Sequence, residues 1–226
     1  MEIGEEGGMR EDLGPLIINR RGGHEPLAVG GQTQGTLLDF WRWACSDLAG
    51  NALRGILAEY IVALALDAAT GVRTEWDAVD IRTSEGLHVE VKSSAYLQSW
   101  SQSKPSNISF SIAPASGWDG QTDEYSPESL RRSDVYVFCV LHHQDKRTLD
   151  PLNLDQWDFY VLATSVLNEA CPVQRTISLA SLQRLTPART GFTGLRQHVA
   201  SCVAAEEAPR GAAQQRPSKT PPPVST

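Results

Sequence analysis

LHVEVKSSAYLQSW, residues 87–100, is the stretch on which the fold turns. Leu87, Val89 and Val91 alternate with His88, Glu90 and Lys92, the period-two pattern of a half-buried strand. Taken alone, the charged positions would merely line a wet face. The stretch before it changes that. WDAVDIRT (76–83) reads as a second strand, joined by Ser84-Glu85-Gly86 in a tight hairpin whose turn Gly supplies. A turn centred on Glu85 sets Asp80 opposite Glu90, and small Ala78 opposite Lys92. Like charges directly opposite each other destabilise a sheet, so the pairing calls for a shared divalent cation. Mg²⁺ takes oxygen ligands, keeps several waters, and is typically held by one or two carboxylates plus a phosphate. Asp77 has the opposite strand parity and, without a bulge, points to the other face, which favours Asp80 over Asp77.

Working outward, TLLDFWRWAC (36–45) reads as a short helix. A longer one follows from about Asp47, an N-cap residue, to Ala69, with Gly71 as the stop signal. Inside the longer helix Glu59 is the only charged residue between Arg54 and Asp67, set in GILAEYIVALAL. A helix apolar all round is a buried one. A carboxylate on it is costly unless a cation or a proton goes with it. Gly55 and Ala63, one turn either side, leave room beside Glu59. NISFSIA (107–113) alternates as a third, amphipathic strand. SPESLRR (126–132), with Ser126 at the N-cap and Pro127 at the first helical position, reads as a short helix. DVYVFCVL (134–141) is apolar enough to be a central strand covered on both faces. WDFYVLA (157–163) reads as another strand and SLASLQRL (178–185) as a small closing helix. The expected fold class is α/β, a mixed sheet (hairpin plus buried central strand) flanked by helices.

The 226 residues suffice for one sizeable domain, and 41% hydrophobic with 21% charged residues are values for a soluble globular protein. Residues 1–33, rich in Gly, Glu and Arg without a sustained period, are expected to be disordered, as is the proline-rich tail 201–226. The domain is expected over 34–200. No run approaches the ~20 apolar residues of a membrane span. The opening MEIGEEGGMREDLGP lacks the basic start and apolar core of a secretory signal, so the expected location is cytoplasmic. Cys45, Cys139, Cys171 and Cys202 form no CxxC pair, which argues against a zinc site or a disulfide framework. A net charge of −7 weighs against gripping nucleic acid by bulk electrostatics, yet suits a site built from carboxylates.

A helix with a Glu, a strand with an Asp, a hairpin, and Glu-x-Lys on the next strand resemble the PD-(D/E)xK nuclease superfamily, the restriction-endonuclease-like fold. The matching residues are Glu59, Asp80 and Glu90-Val91-Lys92, and the resemblance covers roughly 47–141. It departs in one respect: no Pro precedes Asp77 or Asp80. The resemblance implies a metal-dependent nuclease hydrolysing phosphodiester bonds of nucleic acid, DNA in preference to RNA. Asp80 and Glu90 would bind Mg²⁺ (Mn²⁺ as substitute), with the backbone carbonyl of Val91 as a further ligand and Glu59 completing the shell directly or through water. Lys92 would orient or help deprotonate the attacking water and offset charge in the transition state. Gln98 is a further candidate, because some branches of the superfamily use a glutamine on a helix after the Glu-x-Lys strand. The alternative is a catalytically inactive member of the fold that binds nucleic acid or protein. Such members usually lose one of the acidic or lysine positions, and all four stand here. A homodimer or partner protein would supply specificity.

Other features point less far. His142-His143 have no third ligand at useful spacing and read as strand-end residues. Trp100 and Trp118 flank a polar loop that could approach substrate. Arg131-Arg132 and Lys146-Arg147 are candidate phosphate contacts. No P-loop, GxGxxG before a helix or zinc-finger spacing is present.

Overall fold

The computed structural model describes residues 16–74, 78–119 and 124–212. The chain opens with an exposed hairpin, β1 (Pro26–Val29) and β2 (Gln32–Thr36), whose strands pair antiparallel across Gly30 and Gly31, both at positive φ. Most of this hairpin falls in the segment expected to be disordered. Thr36 then starts α1 (Leu37–Ala44) with a capping box: its Oγ1 accepts from the Asp39 N–H, and the Asp39 carboxylate accepts from the Thr36 N–H. Helix α2 is Asn51–Ala65, shorter than the expected 47–69. Asp47 does not cap it; its Oδ1 accepts from the N–H of Gly50, and Gly50 is the N-cap.

The edge hairpin pairs β3 (Ile81–Arg82) with β4 (His88–Ala95), placing Ile81 opposite Val89 and Arg82 opposite His88. Gly86 closes the turn at φ 83°, and its N–H donates to the carbonyl of Thr83. Continued one residue outward, that register sets Asp80 against Glu90, as the symmetric turn requires. The expected strand 76–83 is regular only over its last part, and Asp77 lies outside the described residues.

A long crossover follows, with β5 (Ser109–Ser111), β6 (Ala115–Asp119) and β7 (Glu124–Leu130). The helix expected at 126–132 is therefore strand, paired antiparallel with β6. Pro127 is the reason both readings arise. Proline suits a first helical turn, but it also suits a break in a ladder, where no N–H is needed. The register shifts between Ser116 and Trp118, opposite the Ser126–Glu128 stretch.

The chain then enters β8 (Val135–Leu141), buried at every position, and β9 (Trp157–Ala163). After them come α3 (Thr164–Ala170), β10 (Thr176–Ser178), α4 (Leu179–Arg184), β11 (Ala188–Thr190) and α5 (Leu195–Ala212). Helix α5 extends into the segment expected to be tail. The main sheet has the order β11-β9-β8-β4-β3, with β4 and β8 parallel and the other pairs antiparallel. β5 pairs with β10 in a separate ribbon, so the third predicted strand sits outside the main sheet.

Period-two alternation divides the core. Val89, Val91, Val137 and Phe159 face α2 and α5, packing with Val62, Leu195 and Val199. Tyr136, Phe138 and Tyr160 face the other side, against Phe110, Leu167 and Leu182. A mixed sheet flanked by helices is thus the observed architecture, and its short edge strand β3 leaves β4 uncovered just where the acidic residues sit. Among the described residues no helix is long and apolar enough to cross a membrane.

Candidate active site

Because β3 ends at Ile81, Val91 on β4 loses its backbone partner on that side. The Asp80 side chain takes the place: its Oδ2 accepts from the Val91 N–H at 2.7 Å. In an extended strand a residue's N–H and C=O point to the same neighbour, so the Val91 carbonyl is directed to the same edge. Burial raises the Asp80 carboxyl from its ordinary 3.8 to about 6. The charge of Glu90 adds to this and that of Glu59 adds least, while Lys92 and the Val91 N–H pull the other way. The charge of Glu90 thus opposes ionisation of Asp80.

Glu90 is held at both oxygens. Oε1 accepts from Lys92 Nζ at 2.5 Å, and Oε2 accepts from Ser133 Oγ at 3.1 Å. Ser133 is buried in the approach to β8. Glu59, on the face of α2 toward the same edge, is clasped by Arg73, whose Nε and Nη2 donate to its two oxygens at 2.5 and 3.1 Å. The expectation that a carboxylate on an apolar helix needs a cation is met, by an arginine from the loop after α2. No periodicity marks a partner so placed, which is why the sequence did not single out Arg73. Among the described residues no group of three or more His, Cys, Asp or Glu side chains is gathered tightly enough to hold a metal. Asp80 and Glu90 do lie close enough for the charge of one to act on the other.

Gln98 lies in the loop after β4, not on a helix, and is buried. Its Oε1 accepts from Arg54 Nη1 at 3.0 Å and its Nε2 donates to the Ala95 carbonyl at 3.1 Å. Arg54, on the first turn of α2, also reaches the Ala49 carbonyl, Asn51 Oδ1 and Ser93 Oγ. This buried guanidinium ties the start of α2 to the end of β4. Ser93 and Ser94 belong to β4.

The remaining candidates are engaged in the framework. His142 Nε2 meets the Asp155 carbonyl and His143 Nε2 meets Thr148 Oγ1, just past the end of β8. Arg131 donates to the carbonyls of Ile112 and Cys171, and Arg132 to those of Ala115 and Glu128. Lys146 donates to the carbonyl of Trp100, whose ring is exposed, and Arg147 pairs with Asp145. Trp118 lies in β6.

A five-stranded mixed sheet between helices, with acidic residues and a lysine at its edge hairpin, is the class of an α/β nuclease-like fold. The sequence model of the bacteriophage T4 endonuclease IV family matches residues 41–181, more than half of the chain and all of the β3–β4–β8 unit. The chain belongs to this family of endonucleases. No curated protein matches it.

Proposed function

We propose that this protein is a metal-dependent endonuclease that hydrolyses phosphodiester bonds of DNA, with a PD-(D/E)xK-type site at the exposed edge of β4. One observation carries the reading: Asp80, locked onto the Val91 N–H, lies close enough to feel the charge of Glu90, which is paired with Lys92, in a chain of an endonuclease family. The donor set suits Mg²⁺, since Asp80, Glu90 and the Val91 carbonyl are hard oxygens, and a cation between the carboxylates would relieve the repulsion that raises Asp80. Glu59 would join through water, because Arg73 already engages both its oxygens. Bound there, Mg²⁺ supplies a nucleophile near neutral pH and offsets charge on the phosphate. The chain does the rest. Lys92 holds the attacking water and places an ammonium beside the charge that develops on phosphorus-bound oxygen. Ser133 and Lys92 each hold one oxygen of Glu90 and so fix the carboxylate in place. Asp80 must lose its proton before it can hold a cation.

The Glu59–Arg73 clasp favours a second reading, a binding module whose charges are already paired. Cleavage separates the two. DNA and RNA substrates are incubated with Mg²⁺, Mn²⁺ or EDTA, with wild type beside Lys92→Ala. The nuclease reading expects metal-dependent cutting, DNA before RNA, reduced by about a hundredfold or more in Lys92→Ala. Wild type that binds the substrates and cuts none under any metal would favour the module.

A further inference from the structure

The cleft that holds Asp80 is larger than a metal ion needs. It measures about 900 Å³ and runs between α1, α2 and residues 68–74 and 79–82. Such a volume suits a small organic group. Glu59 and Asp80 stand at its polar side, and Trp41, Ile56, Tyr60 and Val72 line the rest. These walls are open: Tyr60 is 52% and Trp41 37% exposed. Helix α1 buries none of its residues, although its start is fixed by a capping box. Exposed aromatic rings on a well-capped helix are unusual unless something covers them.

Trp41 is also braced. Leu38 N–H donates to the Gly23 carbonyl at 2.7 Å, and Gly23 lies so close that a side chain there would come within 3.4 Å of Trp41 Cζ3. Tyr60 follows Glu59 directly on α2, which ties the second ring to the acidic side of the cleft. Arg20, Arg73 and Arg82 line the same cleft. Arg73 is held by Glu59 and Arg82 by His88, which leaves Arg20 as the guanidinium offered to a phosphate; with the flat rings for a base, the lining describes a nucleotide. A base inside a duplex has no free face to offer, so the group that enters must be unpaired.

We propose that this cleft is a nucleobase seat: one unpaired base of the substrate stacks against Trp41 and Tyr60, and that contact sets which phosphodiester lies at Asp80. The identity of the ligand rests on the endonuclease reading. Trp41 and Tyr60 are positioning residues and take no part in the bond change.

The test walks a single abasic site along an oligodeoxynucleotide, nucleotide by nucleotide across the cut, with wild type, Trp41→Ala, Trp41→Phe and Tyr60→Ala. In wild type an abasic site at one position beside the cut lowers kcat/KM by about tenfold. Trp41→Ala shows that loss already on the intact strand and gains little more from the abasic site, while Trp41→Phe keeps most of the preference. Mn²⁺ affinity is unchanged in all three variants. If every abasic position is tolerated, or costs Trp41→Ala as much as wild type, the seat is wrong and the endonuclease reading is untouched. Should wild type cut nothing, the same strands are compared by fluorescence anisotropy. Coupling between one base and Trp41 then supports the seat while the endonuclease reading falls, and binding without that coupling overturns the seat.

Discussion

At the scale of single residues, Asp80 is where structure and chemistry pull against each other. Its folded-state pKa is raised, so ionisation costs the fold. That cost is absent below 3.8, grows up to about 6 and is full above. Asp80→Asn keeps an oxygen for the Val91 N–H and removes the charge. In EDTA at pH 7.5 it should raise stability by about 1–3 kcal/mol by denaturant titration, while abolishing cleavage. The same proton competes with metal, so metal affinity should fall as pH drops through about 6. A flat affinity between pH 5 and 7.5 would contradict this. Glu59, Asp80, Glu90 and Lys92 were all legible as candidates, because an isolated charge on an apolar helix and facing charges on a hairpin are local anomalies. Arg73, Ser133 and Arg54 were not, since each acts from a loop or a helix end with nothing unusual in its neighbours.

At the scale of elements, the hairpin was legible because its turn and its alternation agree: Gly86 takes the left-handed conformation the turn needs, and β4 keeps its period. Gly86→Ala meets no neighbour but must adopt φ 83°, and should cost about 1–2 kcal/mol. Strand β7 was misread because Ser-Pro-Glu is a helix-start signal at short range, and only pairing with β6 decides otherwise. The join between α2 and β4 rests on Arg54 and Gln98. Arg54→Ala leaves Gln98, Asn51 and a carbonyl without their donor in a buried place, and should destabilise by about 2–4 kcal/mol in thermal or denaturant unfolding. Gln98→Ala should lose about 1–2 kcal/mol of stability with kcat nearly unchanged. A large fall in kcat at full stability would instead place Gln98 in the chemistry.

At the scale of the whole molecule, burial and topology carry the function. β8 is sealed on both faces, so β4 is fixed along one side, while on its other side short β3 pairs with only its first residues. The sheet order and the separate β5–β10 ribbon could not be read from the chain, because pairings between distant strands leave no local pattern. The exposed hairpin β1–β2 was also hidden, since glycine-rich polar sequence reads alike in a turn and in a disordered segment. The central claim is that Asp80 and Glu90 together bind a divalent ion. The most direct measurement is a Mn²⁺ titration at pH 7.5, read by the electron paramagnetic resonance of free Mn²⁺, on wild type and Glu90→Gln. Wild type should bind Mn²⁺ saturably and Glu90→Gln at least tenfold more weakly. Equal binding by the two proteins, or none by either, would contradict it.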